Sequence, residues 1–262
     1  LRQQPEPIQR FLLHTAILDR LSGSLCDAVA EPGAGDLGAP EAASSHRILE
    51  HLHRANAFTM PLDDERRWYR YHPLFTEALR ALLRLAEPEQ LARLHRRAAQ
   101  WYLQEGYTPE AIQHTLAAGE SEQAAQLIER AAPRMLLRGE HQLLLGWLSA
   151  LPAGLIATRP DLLLARAWAL LQAGLLDETE AALADAEQRL RQPCADGGIQ
   201  STALRAELRA IHACATARRS TGAPAVALVQ AALAQLLPEH ALARSELLLR
   251  LGWCRRADGD LA

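Results

Sequence analysis

Two side chains close together in the chain are the best candidates for chemistry. Arg70 carries a guanidinium, His72 carries an imidazole two residues later, and Pro73 follows at once. A proline at the first position of a helix loses no hydrogen bond, because that N–H is unpaired anyway, and its φ is already helical. The segment therefore predicts a strand, Trp68 to Tyr71, running into a helix start at His72. Helix N-termini attract anions through their unpaired N–H groups and positive dipole end. The chemistry on offer is phosphate or carboxylate binding, with His72 the primary candidate and Arg70 the weaker one. Strand alternation by itself does not require Arg70 to point the same way as His72. The competing reading is that His72 packs against or caps the joint.

Other reactive residue types carry less. All 28 residues in the Lys+Arg count are arginine. That excludes a P-loop lysine, a Schiff-base lysine and a Ser–Lys dyad within these residues. The composition is alanine-rich, as a GC-rich coding sequence would give. Cys26, Cys194, Cys214 and Cys254 are scattered without a CxxC spacing, which fits reduced thiols better than a disulfide framework. His51 and His53 are two apart on an expected helix and do not share a face, so they are no metal pair. Asp63-Asp64-Glu65 reads as turn chemistry. No nucleophile–base pairing and no metal spacing stands out, so no catalytic residue and no metal ligand are assigned. The expectation is a non-enzyme. The net charge of −3 argues against bulk nucleic-acid coating. No apolar stretch is long enough for a membrane span, and no signal peptide is visible.

The elements that position the joint follow from periodicity. Pro5 to Leu21 has helical spacing, with a break near His14-Thr15. Ser24 is placed to cap a short helix through Ala30, and the Pro/Gly/Ala-rich run Glu31 to Ala43 reads as a loop. Ser44 or Ser45 opens a helix that buries Ile48, Leu49 and Leu52 and presents Arg47, Glu50, His51, His53 and Arg54. Phe58, Met60 and Leu62 alternate as a first strand, with Pro61 marking an edge. Asp63 to Arg66 form the turn. Three helices and a β-hairpin are the order of a winged helix. In such a fold the Ser45 to Asn56 helix would be the one to enter DNA, against the simpler reading of a solvated face.

From Glu87 onward one helix follows another. Pro133 is expected to kink or split the helix from Ser121 to Leu137. Gly106, Gly174, Gly222 and Gly259 are preceded seven residues earlier by Ala99, Ala167, Ala215 and Gly252. Five residues after the first three stand Ala111, Thr179 and Ala227. Small residues at both places let paired helices touch, the logic of a tetratricopeptide (TPR) array, here with irregular spacing. The expected fold is mainly α: a winged-helix module with a β-hairpin over residues 1–86, then a TPR-like α-superhelix over 87–262. Leu1 at one end and a turn signal near Asp260 at the other suggest a piece of a longer chain, truncated in its C-terminal domain.

The run Leu62-Asp63-Asp64-Glu65-Arg66-Arg67-Trp68-Tyr69-Arg70-Tyr71-His72-Pro73-Leu74-Phe75 resembles the joint of the large MalT-like regulators of LuxR type, which are ATP-dependent proteins of the STAND class. Leu94 to Tyr102, Glu110 to His114 and Ala165 to Leu171 are similar as well. The resemblance implies an upstream ATPase module, a winged helix, a TPR-like sensor and a C-terminal helix-turn-helix. This chain would hold only the middle parts, without a GxxxxGK[ST] motif. It implies no cofactor within these residues, with ATP or ADP bound, and ATP slowly hydrolysed, in the parent protein. Implied partners are an inducer small molecule or regulatory protein on the superhelix, the upstream ATPase module, and DNA through the absent helix-turn-helix. The implied location is the cytoplasm. By the same resemblance His72 corresponds to a winged-helix histidine that touches the β-phosphate of ADP. A TPR-type interaction scaffold without nucleotide linkage is the alternative.

Overall fold

The structure is a computed structural model that describes residues 5–30, 44–55, 58–191, 199–220, 222–238 and 240–257. The chain separates into two compact units, residues 1–120 and 121–262. The helices expected to open the repeat array from residue 87 thus group with the first unit up to residue 120.

The first unit contains α1 (Glu6–Thr15), α2 (Gly23–Val29), α3 (Ser44–Arg54), β1 (Thr59–Pro61), β2 (Tyr69–Tyr71), α4 (Pro73–Ala86), α5 (Pro88–Gln104) and α6 (Thr108–Ala117). α1 stops at the expected break. The following residues do not resume a helix: Leu21 donates its N–H to the Tyr69 carbonyl and accepts from the Tyr69 N–H, both at 2.8 Å. Leu21 is therefore a one-residue bridge on the open side of β2, buried in the core. The cap of α2 is Ser22 rather than Ser24. Its hydroxyl accepts from the Leu25 N–H at 3.3 Å.

β1 and β2 pair antiparallel, with Thr59 opposite Tyr71 and Pro61 opposite Tyr69. The inward residue of β1 is Thr59, one place out of the expected register, so Phe58 and Leu62 are exposed. A shift of one residue exchanges the faces of a strand. Phe58 also has a φ of 54°, which ends the extended geometry just before Thr59. On β2 the alternation holds: Tyr69 and Tyr71 are buried and Arg70 faces out. The core gathers Phe11, Leu25, Leu49, Leu52, Leu79, Leu83 and Leu94 around the two tyrosines. α5 packs on both α2 and α6. Gly106 closes α5 at φ 81°, a left-handed conformation that a β-carbon would strain.

The second unit contains α7 (Ser121–Leu137), α8 (His141–Ala150), α9 (Ala153–Thr158), α10 (Pro160–Ala173), α11 (Leu176–Arg191), α12 (Ile199–Arg219), α13 (Ala223–Gln235) and α14 (Ala241–Ala257). α7 is assigned as one helix through Pro133. Proline forfeits a helix bond there, but buried Ala132 and Leu136 hold the segment through tertiary packing. α10 is the hub and packs on α7, α8, α9, α11 and α12. Its run from Leu162 to Ala165 and from Ala167 to Leu171 is buried almost all round, as a central helix requires. The repeat register holds at Ala99 with Ala111 and at Ala167 with Thr179, all buried. At the third place Ala215 is buried but Ala227 is not, because Ala225 and Val229 face inward on α13, and at the fourth Gly252 is exposed. Gly259, Cys194 and the Glu31–Ala43 segment lie outside the described residues.

Candidate functional site

The joint is built from the core outward. Thr15 donates its hydroxyl to the Phe11 carbonyl at 2.7 Å, so its oxygen is free to accept from the Tyr71 hydroxyl 2.8 Å away. That bond fixes the end of β2 to the end of α1. Burial drives the Tyr71 phenol well above its ordinary range, so it stays protonated and donates. Tyr69 is equally enclosed, yet its hydroxyl has no partner among the described residues. Its ring meets the imidazoles of His46 and His53 at centroid distances of 6.4 and 6.3 Å.

β2 then delivers His72 as the residue before α4. Its N–H donates to the Phe58 carbonyl at 2.7 Å, and its carbonyl accepts from Phe75 at 2.9 Å and Thr76 at 3.0 Å. The imidazole is exposed and makes no capping bond to the helix. Arg70 is exposed on the same strand. Pro73 has no N–H and two of the next three are used internally, which leaves Leu74 as the outward first-turn donor. Anion recognition here would depend on the side chains more than on backbone groups. Exposed apolar residues neighbour the joint in the chain and across the hairpin. Leu74 is 71% exposed and Phe58 61%, and Phe58 stacks on Phe75 at 5.1 Å between ring centres.

α4 is locked behind the joint by a residue that the sequence pattern does not mark. Arg80 donates from Nε to the Ala16 carbonyl at 2.8 Å and from Nη2 to the Ile17 carbonyl at 3.3 Å. The same nitrogen meets Asp19 Oδ1 at 2.8 Å. A cation there satisfies carbonyls just past the end of α1, where the helix dipole favours positive charge. Arg97 does the same for α2 through the Val29 carbonyl at 3.3 Å. The only sequence signal for Arg80 is its position two turns into an otherwise amphipathic helix.

The helix expected as a DNA reader is partly committed elsewhere. His53 Nδ1 lies 3.3 Å from the Thr59 carbonyl, and Arg54 pairs with Glu50 at 3.1 Å one turn away. In the turn, Asp63 Oδ1 accepts from the N–H groups of Arg67 at 2.8 Å and Trp68 at 3.1 Å. Asp63 is thus a turn residue.

A second titratable pair lies between α5 and α6. His95 Nδ1 and His114 Nδ1 are 2.8 Å apart, and Tyr102 stacks on the His114 ring at 5.3 Å. Burial lowers both imidazoles to about 4. Arg80 adds to the lowering of each, His95 further lowers His114, and Asp19 opposes this at His114. One nitrogen must donate and the other accept, so at most one ring can be charged, and the burial that lowers both favours two neutral rings. The described cysteines are free and buried. Burial raises the Cys26 thiol and pushes Cys214 to about 12, which removes them as nucleophiles. Among the described residues no group of three or more His, Cys, Asp or Glu could hold a metal ion, and no helix is long and apolar enough to cross a membrane.

Three helices and a short hairpin whose second strand feeds α4 define a winged-helix-type module at the front of a mainly α chain. Residues 1–91 match the family model of the MalT winged helix domain. Over those residues the chain is similar to MalT-type modules, which supports a role in transcription regulation at that coarse level.

Proposed function

We propose that the chain is a regulatory segment of an ATP-dependent transcription activator of LuxR type and STAND class. The winged helix couples an ATPase module encoded upstream to a TPR-like helical sensor, and DNA is bound through a helix-turn-helix encoded downstream. The match of residues 1–91 to the MalT winged helix domain carries this reading. The exposed imidazole of His72, with Arg70, Phe58 and Leu74 also exposed at the joint, supports it, because exposed polar and apolar side chains together suit the docking of a nucleotide-bearing module. In the resting protein His72 contacts the ADP phosphate, with Arg70 as an auxiliary cation. The sensor helices bind an inducer or a regulatory protein, and binding favours the ATP form only if the ligand prefers that state. The chain's own residues perform no catalysis in this scheme. The parent reading frame tests it: a Walker A motif upstream and a helix-turn-helix downstream are expected, and their absence from both flanks contradicts the assignment.

A further inference from the structure

A cleft in the second unit, of about 410 Å³, lies among α7, α10, α12 and the start of α14. Its volume falls within the range of small-molecule sites, roughly 300–1,000 Å³. Leu136 on α7 and Leu164 on α10 contribute apolar wall. Glu129, Asp161 and Glu207 line it as well, and among the described residues no arginine does. Arg159 bonds Glu129 at 2.8 Å and so offsets that charge, but Asp161 and Glu207 leave the wall negative.

The polar side of the cleft is preset. Trp168 Nε1 donates to Glu207 Oε2 at 3.3 Å, which fixes the carboxylate. His240 Nδ1 accepts from the Leu237 N–H at 3.2 Å, so a neutral ring carries its proton on Nε2, which faces Glu207 Oε1 at 3.6 Å. The Trp168 ring is only 2% exposed. It offers no open aromatic face on which a sugar ring would stack. The carboxylates repel anions. The remaining match is a positively charged head on an apolar body.

We propose that this cleft binds an organic ammonium compound with a short apolar body. The assignment rests on the sensor reading above and specifies its ligand class. The apolar body lies against Leu136 and Leu164, and the ammonium faces the carboxylates of Asp161 and Glu207.

The test is isothermal titration of the 262-residue chain with 4-phenylbutylammonium, against 4-phenylbutanol and 4-phenylbutanoate as isosteres. The cation is expected to bind saturably and at least tenfold more tightly than the alcohol, with the carboxylate weaker still. Asp161→Asn with Glu207→Gln should cost the cation at least tenfold and leave the alcohol unchanged. Glu207→Gln keeps an acceptor for Trp168, so the fold should survive. Ala165→Leu, which adds bulk to the lining, should weaken all three probes. Absence of saturable cation binding to folded chain, equal affinity for the alcohol, or indifference to the double substitution each overturns the proposal. A neutral probe that wins and is blocked by Ala165→Leu overturns the ligand class while leaving a sensor in place. The sensor reading fails separately, if reporter transcription by the parent protein is unaffected by every variant that empties the cleft.

Discussion

Arg80 Nη2 lies 2.8 Å from Asp19 Oδ1, across 61 residues of chain, while its Nε holds the Ala16 carbonyl at the same distance. One side chain thereby ties the helix behind the joint to the end of the first helix. Arginine suits this task because its fork presents several donors in a fixed plane. Arg80→Ala should destabilise the chain by about 2–3 kcal/mol, since charge-assisted bonds to otherwise unpaired carbonyls are lost. Urea unfolding of the first unit, followed by the fluorescence of Trp68 and Trp101, reads this out. Asp19→Asn should cost less than about 1 kcal/mol, because Asp19 is largely exposed.

The two core tyrosines should respond in opposite ways to loss of the hydroxyl. Tyr71→Phe removes the bond to Thr15 and should cost about 1 kcal/mol. Tyr69→Phe should be neutral or stabilising, because its buried hydroxyl lacks a partner among the described residues. Chemical denaturation of the two variants side by side checks the contrast. Equal losses would contradict it.

The His95–His114 pair makes stability depend on acid. Both rings sit near 4 in the folded chain, below the ordinary value of 6.5. The unfolded chain therefore binds protons first as pH falls. The pair's contribution is fully present above about 6.5, declines as pH drops toward 4, and is lost below that. His95 is partly exposed, so the discounted loss is roughly 2–3 kcal/mol for the pair. Urea midpoints measured from pH 7 to pH 4 should fall for the native chain. They should fall less steeply for His95→Gln with His114→Gln.

The joint itself was largely legible in the sequence. The aromatic run predicts the return strand, and Pro73 predicts where α4 begins. The alternation Tyr69-Arg70-Tyr71 puts Arg70 on the outer face because tyrosine rings bury more apolar area than an arginine stem can. What stayed hidden depends on partners distant in sequence. Leu21 completes a helical pattern on paper, yet its backbone pairs with Tyr69, 48 residues on. Thr59 rather than Phe58 faces the core because the Thr59–Tyr71 pairing sets the register, and apolar periodicity alone pointed to the wrong face. Arg80 joins α4 to the segment after α1, and the His95–His114 contact joins α5 to α6, and single-helix patterns carry no trace of such pairings. Ala227 fits the repeat spacing but faces solvent, since the tight approach on α13 is made at Ala225 and Val229.

His72 holds the resting state of the parent protein if it contacts the ADP phosphate there. That role is tested most directly by ADP retention, measured with the purified full-length protein and its His72→Ala variant. His72 is exposed and makes no capping bond, so the substitution should leave thermal stability within about 0.5 kcal/mol. The variant should release ADP at least tenfold faster and show raised basal transcription. Unchanged ADP retention and unchanged basal activity in a folded variant would contradict it.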